Sequence, residues 1–160
     1  MDNNSLEKAK VTYATICKMF DNMDFEYTKI EDRLMIQTGF QGEDLPMRFY
    51  VRVNPEKELV SFISNMPFRV DESKRFDMAL AVCSANYSLA DGSFDYDLSD
   101  GSIIFRLTSS YKDTVLSEKL FEYMLICSVA TIERYNDKFF MITKGALDIQ
   151  KFIADENELR

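Results

Sequence analysis

Histidine is absent from this chain of 160 residues. Its absence excludes Ser-His-Asp and Cys-His nucleophile systems, a histidine general base and a histidine-ligated metal within this chain. Cys17, Cys83 and Cys127 are widely spaced and form no C-x-x-C pair, so the usual zinc ligand sets are missing too. We therefore expect no catalytic residues, no metal site and no cofactor. The odd number of thiols and their apolar neighbours predict reduced core cysteines rather than disulfides.

The chain also lacks long apolar runs and an excess of basic residues. No segment approaches the roughly 20 apolar residues that cross a bilayer, and Met1–Asn4 is not a basic region followed by an apolar run. These features predict a cytoplasmic protein that does not bind membranes. The net charge of -8 opposes nucleic-acid binding, because backbone phosphates favour clustered Lys and Arg. The length and the 46% apolar content fit a single domain over residues 1–160.

Hydrophobic periodicity predicts an α+β fold, in the order N-terminal helix, antiparallel β-meander, central helix, β-hairpin and long C-terminal helix. Four short strands are expected between residues 25 and 64. The last of them, 59–64, has no clean alternation, so its inner face cannot be assigned. Ser117 is expected to cap the long helix. Gly145 is expected to kink or stop it before a last amphipathic turn through Ile149, Phe152 and Ile153. The polar residues 155–160 are expected to fray.

The third strand carries a candidate partner-binding surface. Its apolar residues alternate with Arg48, Tyr50 and Arg52, so one face is buried and the other meets solvent or a partner. An aromatic ring between two guanidinium groups can hold a polypeptide by stacking and charge together. The alternative is an ordinary solvated face of an antiparallel sheet.

The central helix, expected over residues 71–87, is apolar on two sides. One stripe consists of Phe76, Ala79, Leu80, Cys83 and Tyr87, and Met78, Ala81, Val82 and Ala85 extend the apolar surface to a second side. Because one short sheet supplies only one partner, Met78, Val82 and Ala85 are the candidate interface of a homodimer. The alternative is that the helix is simply central to the core of one subunit.

The hairpin after this helix is rich in acidic residues, which raises the question of a calcium site. With Gly101 at the sixth position of an EF-hand loop, the first and third ligands would be Tyr96 and Leu98, which are not carboxylates. The acids Asp91, Asp95, Asp97 and Asp100 are therefore assigned to turn chemistry and solvation.

An ordered set of residues between positions 85 and 145 resembles the YbjN-domain family. The set is Asn86 at a helix end, Gly92-x-Phe94-x-Tyr96-Asp97, Asp100-Gly101 before Ile104-x-Arg106, and Leu116-Ser117-Glu118 with Leu120 at the start of a long helix. That family is named for a proposed role as bacterial sensory transduction regulators, and it is assigned to the type III secretion chaperone-like fold. The resemblance implies a small, acidic, dimer-prone, non-catalytic protein. Its chaperone relatives hold an extended client segment against the first helix and the sheet.

Two classes of function follow from these observations. The first is a non-catalytic protein-binding regulatory or chaperone-like module, homodimeric, with a protein client that the sequence does not identify. The alternative is a small-molecule binding protein, or an enzyme that uses carboxylates or a lysine. A closed pocket with converging polar groups would favour the alternative.

Overall fold

The computed structural model describes residues 3–158 and contains four helices and six strands within that range. In chain order they are α1 (Asn3–Asn22), β1 (Tyr27–Ile30), β2 (Met35–Gln41), β3 (Pro46–Asn54), β4 (Leu59–Asn65), α2 (Arg75–Tyr87), β5 (Ser93–Tyr96), β6 (Ile103–Ser110), α3 (Glu118–Thr143) and α4 (Ile149–Glu158). This order confirms the predicted α+β architecture.

The six strands form one antiparallel sheet in the order β1-β2-β3-β4-β6-β5. Tight connections join the first four strands as a meander, because antiparallel neighbours need only short loops. After β4 the chain leaves the sheet to form α2. It returns with the β5–β6 hairpin, whose second strand pairs with β4 and leaves β5 at the edge.

Burial alternates along the central strands, so the sheet has one packed face and one outer face. Phe49 and Val51 on β3 lie on the packed face, as the alternation predicts. The inner face of the fourth strand, which the sequence leaves open, consists of Val60, Phe62 and Ser64. α1 contacts β3, while α3 contacts β4 and β6, so both helices cover the packed face.

An aromatic cluster joins the β5–β6 hairpin to α3. The Phe94 ring lies 5.2 Å from that of Phe105, 5.6 Å from that of Tyr135 and 5.1 Å from that of Phe139, in edge-to-face arrangements. Each such pair contributes about 0.5–1.5 kcal/mol beyond the burial of apolar area. The cluster therefore fixes the hairpin and α3 relative to each other.

The expected helix signals of α3 are present at both ends. The Ser117 hydroxyl accepts a hydrogen bond from the Leu120 amide at 3.2 Å, which satisfies a backbone donor that the helix leaves free. At the other end, Gly145 has a φ of +70°, the left-handed conformation that closes many helices.

The C-terminal segment differs from the sequence-based expectation. Fraying was expected from residue 155, but α4 continues to Glu158, and only 1% of Glu156 is exposed. Residues 159–160 lie outside the described part of the chain. The prediction failed because a polar residue was assumed to be solvated, whereas Glu156 is bound by groups on α3.

The three cysteines are free, and they are not equally buried. Cys17 is buried and Cys127 is partly buried, while Cys83 is exposed on α2. Burial raises the pKa of the Cys17 thiol, which disfavours its thiolate form. The expectation of a core thiol is therefore right for Cys17 and wrong for Cys83.

Candidate protein-interaction surfaces

The predicted partner-binding row lies on the outer face of β3. Arg48 and Arg52 are exposed, and the Tyr50 side chain between them is partly buried. Within residues 3–158 neither arginine has a carboxylate within ion-pair distance. Tyr50 on β3 pairs with Ile63 on β4, and Ile63 pairs in turn with Arg106 on β6. The outer face thus places two unpaired guanidinium groups on either side of a mixed aromatic and aliphatic strip.

Two depressions on the outer face divide this row. The larger one, about 1100 Å³, is called the β1–β3 groove here, and it includes Arg48 and Tyr50 in its lining. The smaller one, about 630 Å³, includes Arg52 together with Arg106. The Arg106 guanidinium is already bound to the Asp95 carboxylate at 2.7 Å. The three predicted residues therefore share one face but belong to two separate concavities.

The predicted dimer residues lie inside the subunit. Met78 and Ala85 are fully buried and Val82 is 6% exposed, so none of them presents a surface to a second copy. This placement of the interface is therefore corrected. The face of α2 that remains outside carries the other apolar stripe, including Phe76, Leu80, Cys83 and Tyr87.

Hydrogen bonds made by two polar residues explain which face of α2 is buried and which is exposed. Arg75 Nη1 donates to the carbonyl oxygens of Leu98 and Ser99 at 3.1 and 3.0 Å. At the other end of the helix, the Asn86 amide donates to the Phe94 carbonyl at 2.9 Å and accepts from the Phe94 amide at 2.8 Å. Arg75 and Asn86 are eleven residues apart and therefore lie on the same side of a helix with 3.6 residues per turn. Tying that side to the hairpin turns Met78, Val82 and Ala85 inward.

The acidic residues of the hairpin region are bound by protein groups, as the turn assignment predicts. Asp97 accepts from the Ser99 hydroxyl and amide, and these hydrogen bonds lower its pKa. Hydrogen bonding from Ser102, together with the Arg69 guanidinium, lowers the pKa of Asp100 to about 2. Across residues 3–158 no group of three or more His, Cys, Asp and Glu residues could hold a metal ion.

A further acidic side chain links α2 to α3. The Tyr123 hydroxyl of α3 donates to the Asp91 carboxylate, which follows the end of α2. This hydrogen bond is the main cause that raises the pKa of Tyr123 to about 12. Tyr123 is nevertheless 50% exposed and Ile126, one turn further along α3, is 54% exposed. Tyr123 and Ile126 therefore form a second exposed apolar site, on α3, near the segment that follows α2.

Gly39 is a residue of the β1–β3 groove that sequence reasoning missed. Gly39 lies in the middle of β2 on the outer face, directly opposite Arg48 in the register of β2 and β3. A glycine inside a strand often marks a place where another backbone approaches. That signal was present in the sequence and was hidden by the apolar alternation around it.

Within the described residues 3–158, no helix is both long and apolar enough to cross a membrane. Comparison with curated protein sequences gives no match.

Solved structures of similar fold include one described as "a putative transcription regulator" and chains of two protein complexes. The crystal structure of YbjN from E. coli matches with a TM-score of 0.57 at 10% identity, covering 76% of this chain and 86% of that one. A chain of the HopA1–SchA chaperone–effector complex matches with a TM-score of 0.58 at 9% identity, covering 86% of this chain and 98% of that one. A chain of the ExsC–ExsE complex matches with a TM-score of 0.58 at 14% identity, covering 86% and 96%. At these identities the likeness shows the fold.

The family model is matched over most of the chain. The YbjN model, described as "Putative bacterial sensory transduction regulator", matches residues 12–141. α4 lies beyond this range. The chain therefore belongs to the YbjN family and has the type III secretion chaperone-like fold.

Proposed function

We propose that this chain is a protein-binding regulatory or chaperone-like module that acts as a homodimer and carries out no catalysis itself. The observation that supports the proposal best is the apolar face of α2, where Phe76 is 86% exposed, Leu80 is 50% exposed and Tyr87 is 77% exposed. Large apolar side chains in a contiguous exposed row are typical of protein contact surfaces. Family membership and the fold shared with a chain of a chaperone–effector complex point to the same class.

A second copy is the proposed occupant of this α2 face. The exposed residues recur at positions 76, 80, 83 and 87, so they form one straight row along the helix. Two such rows pack on each other about a two-fold axis, since the same surface is used by both copies. One row of side chains on a helix about 20 Å long buries less area than the roughly 800 Å² per partner of a stable interface. Tyr123 and Ile126 on α3 supply the additional apolar area.

The oligomeric state tests the first half of the proposal. Light scattering coupled to size-exclusion chromatography should give twice the chain mass at micromolar concentration. Leu80→Asp should give the single-chain mass, because it places two carboxylates in an apolar interface. Val11→Asp is the matched control, since Val11 is also exposed, at 57%, and lies on α1. A wild-type monomer, or a Leu80→Asp dimer, would rule out this interface.

The outer face of the sheet is the proposed client surface, with Arg48, Tyr50 and Arg52 as its candidate residues. Affinity capture from the native cytosol, followed by native mass spectrometry, should yield a partner in fixed stoichiometry. An Arg48→Gln/Arg52→Gln double variant should lose that partner and keep its dimer mass. Arg33→Gln is the charge control, because Arg33 is exposed in the turn between β1 and β2. Recovery of the chain without any stoichiometric partner contradicts the proposal.

The alternative of a small-molecule site receives less support from the β1–β3 groove. The β1–β3 groove is open to solvent, and the charged side chains in its lining are Glu26 and Arg48. Paired carboxylates, or a lysine beside a carboxylate, would be needed for the acid–base chemistry considered above. The groove is built for contact with an extended surface more than for enclosure of a small ligand.

A further inference from the structure

The smaller depression on the outer face, called the β3–β6 depression here, differs in charge from the chain as a whole. Its lining contains the cations Arg52, Lys57 and Arg106 and one carboxylate, that of Asp91, whereas the chain carries a net charge of -8. The Asp91 carboxylate already accepts a hydrogen bond from the hydroxyl of Tyr123 on α3. The depression therefore presents an excess of positive charge on an acidic protein.

Two of the three cations have no carboxylate partner in the part of the chain that the structure describes. Arg52 and Lys57 form no ion pair among residues 3–158. Arg106 Nη2 lies 2.7 Å from Asp95 Oδ2, but a guanidinium group has five N–H donors, so donors remain for a ligand. Unpaired positive charges in one concavity repel each other, and a bound anion removes that repulsion.

The register of the sheet places two hydroxyl groups between the arginines. Arg52 on β3 pairs with Ser61 on β4, and Ser61 pairs with Thr108 on β6, so the three residues form one row about 10 Å long. Arg106 lies on the same face of β6, about 7 Å along the strand from Thr108. The Ser61 and Thr108 hydroxyls are hydrogen-bonded at 3.0 Å. Whichever of them accepts this bond still has its own hydrogen to donate to a ligand.

The backbone that carries Lys57 is held in a hydrogen-bonded turn between β3 and β4. Asn54 Oδ1 accepts from the amides of Glu56 and Lys57, at 3.0 and 2.9 Å, an arrangement that stabilises tight turns. Both unpaired cations, Arg52 and Lys57, therefore extend from backbone that the sheet and this turn hold in place. A site held in this way loses less conformational entropy when a ligand binds.

We propose that the β3–β6 depression binds a phosphate group, free or carried by a small molecule, between Arg52, Lys57 and Arg106. The hydroxyl pair of Ser61 and Thr108 donates to one of its oxygens. A phosphate group carries up to two negative charges, which match the two unpaired cations, and its oxygens accept the bidentate fork of arginine. The volume of about 630 Å³ is in the range of small-molecule sites. A nucleic acid is disfavoured, because a chain of net charge -8 repels a polyanion.

Titration of the isotope-labelled chain with sodium phosphate, followed by two-dimensional amide NMR, tests the depression directly. The ionic strength is held constant with NaCl, so that general screening does not change during the titration. The amide signals of Lys57, Ser61 and Thr108 should shift together and saturate with a single Kd. The signal of Gly39, in the β1–β3 groove, should not move. NaCl alone at the same ionic strength should not reproduce these shifts.

Variants of the unpaired cations test the residues that bind the anion. Arg52→Gln and Lys57→Gln should each weaken the phosphate Kd at least fivefold, because each removes a positive charge and keeps a polar side chain. Arg48→Gln is the matched arginine control, since Arg48 is exposed on the same face of β3 but lines the other depression. Lys119→Gln is the lysine control, on an exposed position of α3. All four side chains are exposed, so each variant should fold, and neither control should change the Kd.

Phosphate esters distinguish the two sources of the phosphate group. Glycerol 3-phosphate and adenosine monophosphate are titrated in the same way as the inorganic ion. An ester that binds at least tenfold more tightly than inorganic phosphate assigns the depression to an organic phosphate, because the rest of the molecule then adds contacts. Equal Kd values assign it to the free ion. Both results support a phosphate site.

Four results overturn the inference. They are shifts that do not saturate or that NaCl reproduces, a Kd unchanged in both Arg52→Gln and Lys57→Gln, an equal loss in Arg48→Gln, and succinate binding as tight as that of phosphate. Binding of a labelled dT20 oligonucleotide that Arg52→Gln abolishes, without binding of phosphate, would assign the depression to nucleic acid instead. Arg52 is also a candidate client residue, but these measurements use the purified chain and small ions alone. Failure of the phosphate site is thus distinct from failure of the proposed function.

Discussion

The buried carboxylate of Glu156 should hold α4 against α3. Its Oε2 accepts from the Tyr135 hydroxyl at 2.8 Å and lies 3.3 Å from Arg134 Nη2, and its Oε1 lies 3.7 Å from Lys138 Nζ. The Glu156 side chain is 1% exposed, while those of Arg134 and Lys138 are 41% and 33% exposed. Glu156→Gln keeps the shape and removes the charge, and Glu156→Ala removes the acceptor as well.

The expected loss follows from these contacts. A hydrogen bond to a charged group contributes about 1.5–3 kcal/mol and a neutral one about 1 kcal/mol, so Glu156→Gln should cost about 0.5–2 kcal/mol. Loss of a buried ion-pair partner can cost about 3–5 kcal/mol. Here, however, Arg134 and Lys138 stay in contact with water when the carboxylate is removed. Removal of the carboxylate also removes the free-energy cost of its desolvation, so the net loss is smaller than for a fully buried pair. Glu156→Ala, which removes the carboxylate that accepts from the Tyr135 hydroxyl and binds both cations, should therefore cost about 2–4 kcal/mol.

Urea unfolding measures these losses, and hydrogen exchange localises them. A chain of this size should lose about 2–4 °C of Tm per kcal/mol. Amides of residues 149–158 should exchange faster in Glu156→Gln than in wild type. Glu158→Gln is the matched control, since Glu158 is exposed in the same last turn of α4. A double-mutant cycle with Tyr135→Phe should give a coupling of at least about 1 kcal/mol for Glu156→Ala. Equal effects of Glu156→Gln and Glu158→Gln, with no coupling, would show that α4 is not anchored in this way.

Three further predictions concern the hairpin and the two helices that flank it. Asn86→Ala should lower the free energy of unfolding by about 1–3 kcal/mol, because it removes both hydrogen bonds to Phe94; a change below 0.5 kcal/mol in urea unfolding would argue against this anchor. Ser117→Ala should cost about 0.5–2 kcal/mol by loss of the cap, and Ser117→Asp should restore most of it; equal stabilities of the two variants would contradict the capping role. The lowered pKa of Asp100 implies stability that is present above its unfolded value near 3.9 and is lost as pH falls toward about 2. Asp100→Asn should therefore flatten the stability profile between pH 4 and 2, and an unchanged slope in urea titrations over that range would refute it.

The elements of the fold were predictable where local sequence decides them. In β3, alternation of Phe49, Val51 and Val53 with polar residues defines both the strand and its buried face, because strand side chains alternate by geometry. The pattern is weaker in β4, where Ile63 on the outer face is as apolar as Phe62 on the inner face. The inner face of β4 was decided by its pairing with β3 and β6, which is information from other parts of the chain.

Glu156 shows why the C-terminal helix was predicted incompletely. Its neighbours in sequence are polar, so composition alone predicts a solvated end. The groups that bind it are Tyr135 and two cations about twenty residues earlier, on a different helix. Buried charges occur where such partners are present, and only the packing of α4 on α3 reveals them.

The second helix shows the same limit for a functional surface. Both of its sides are apolar, so the hydrophobic pattern is nearly equal for two rotations of α2 and cannot choose the outward one. The choice is made by Arg75 and Asn86, two polar side chains whose acceptors lie in the hairpin that follows. A sequence argument that ranks faces by hydrophobicity gives these residues little weight, although each unmade buried hydrogen bond costs about 1–3 kcal/mol. For a helix that is apolar all round, its polar residues therefore decide which side becomes core and which side, here that of Leu80, is left for a partner.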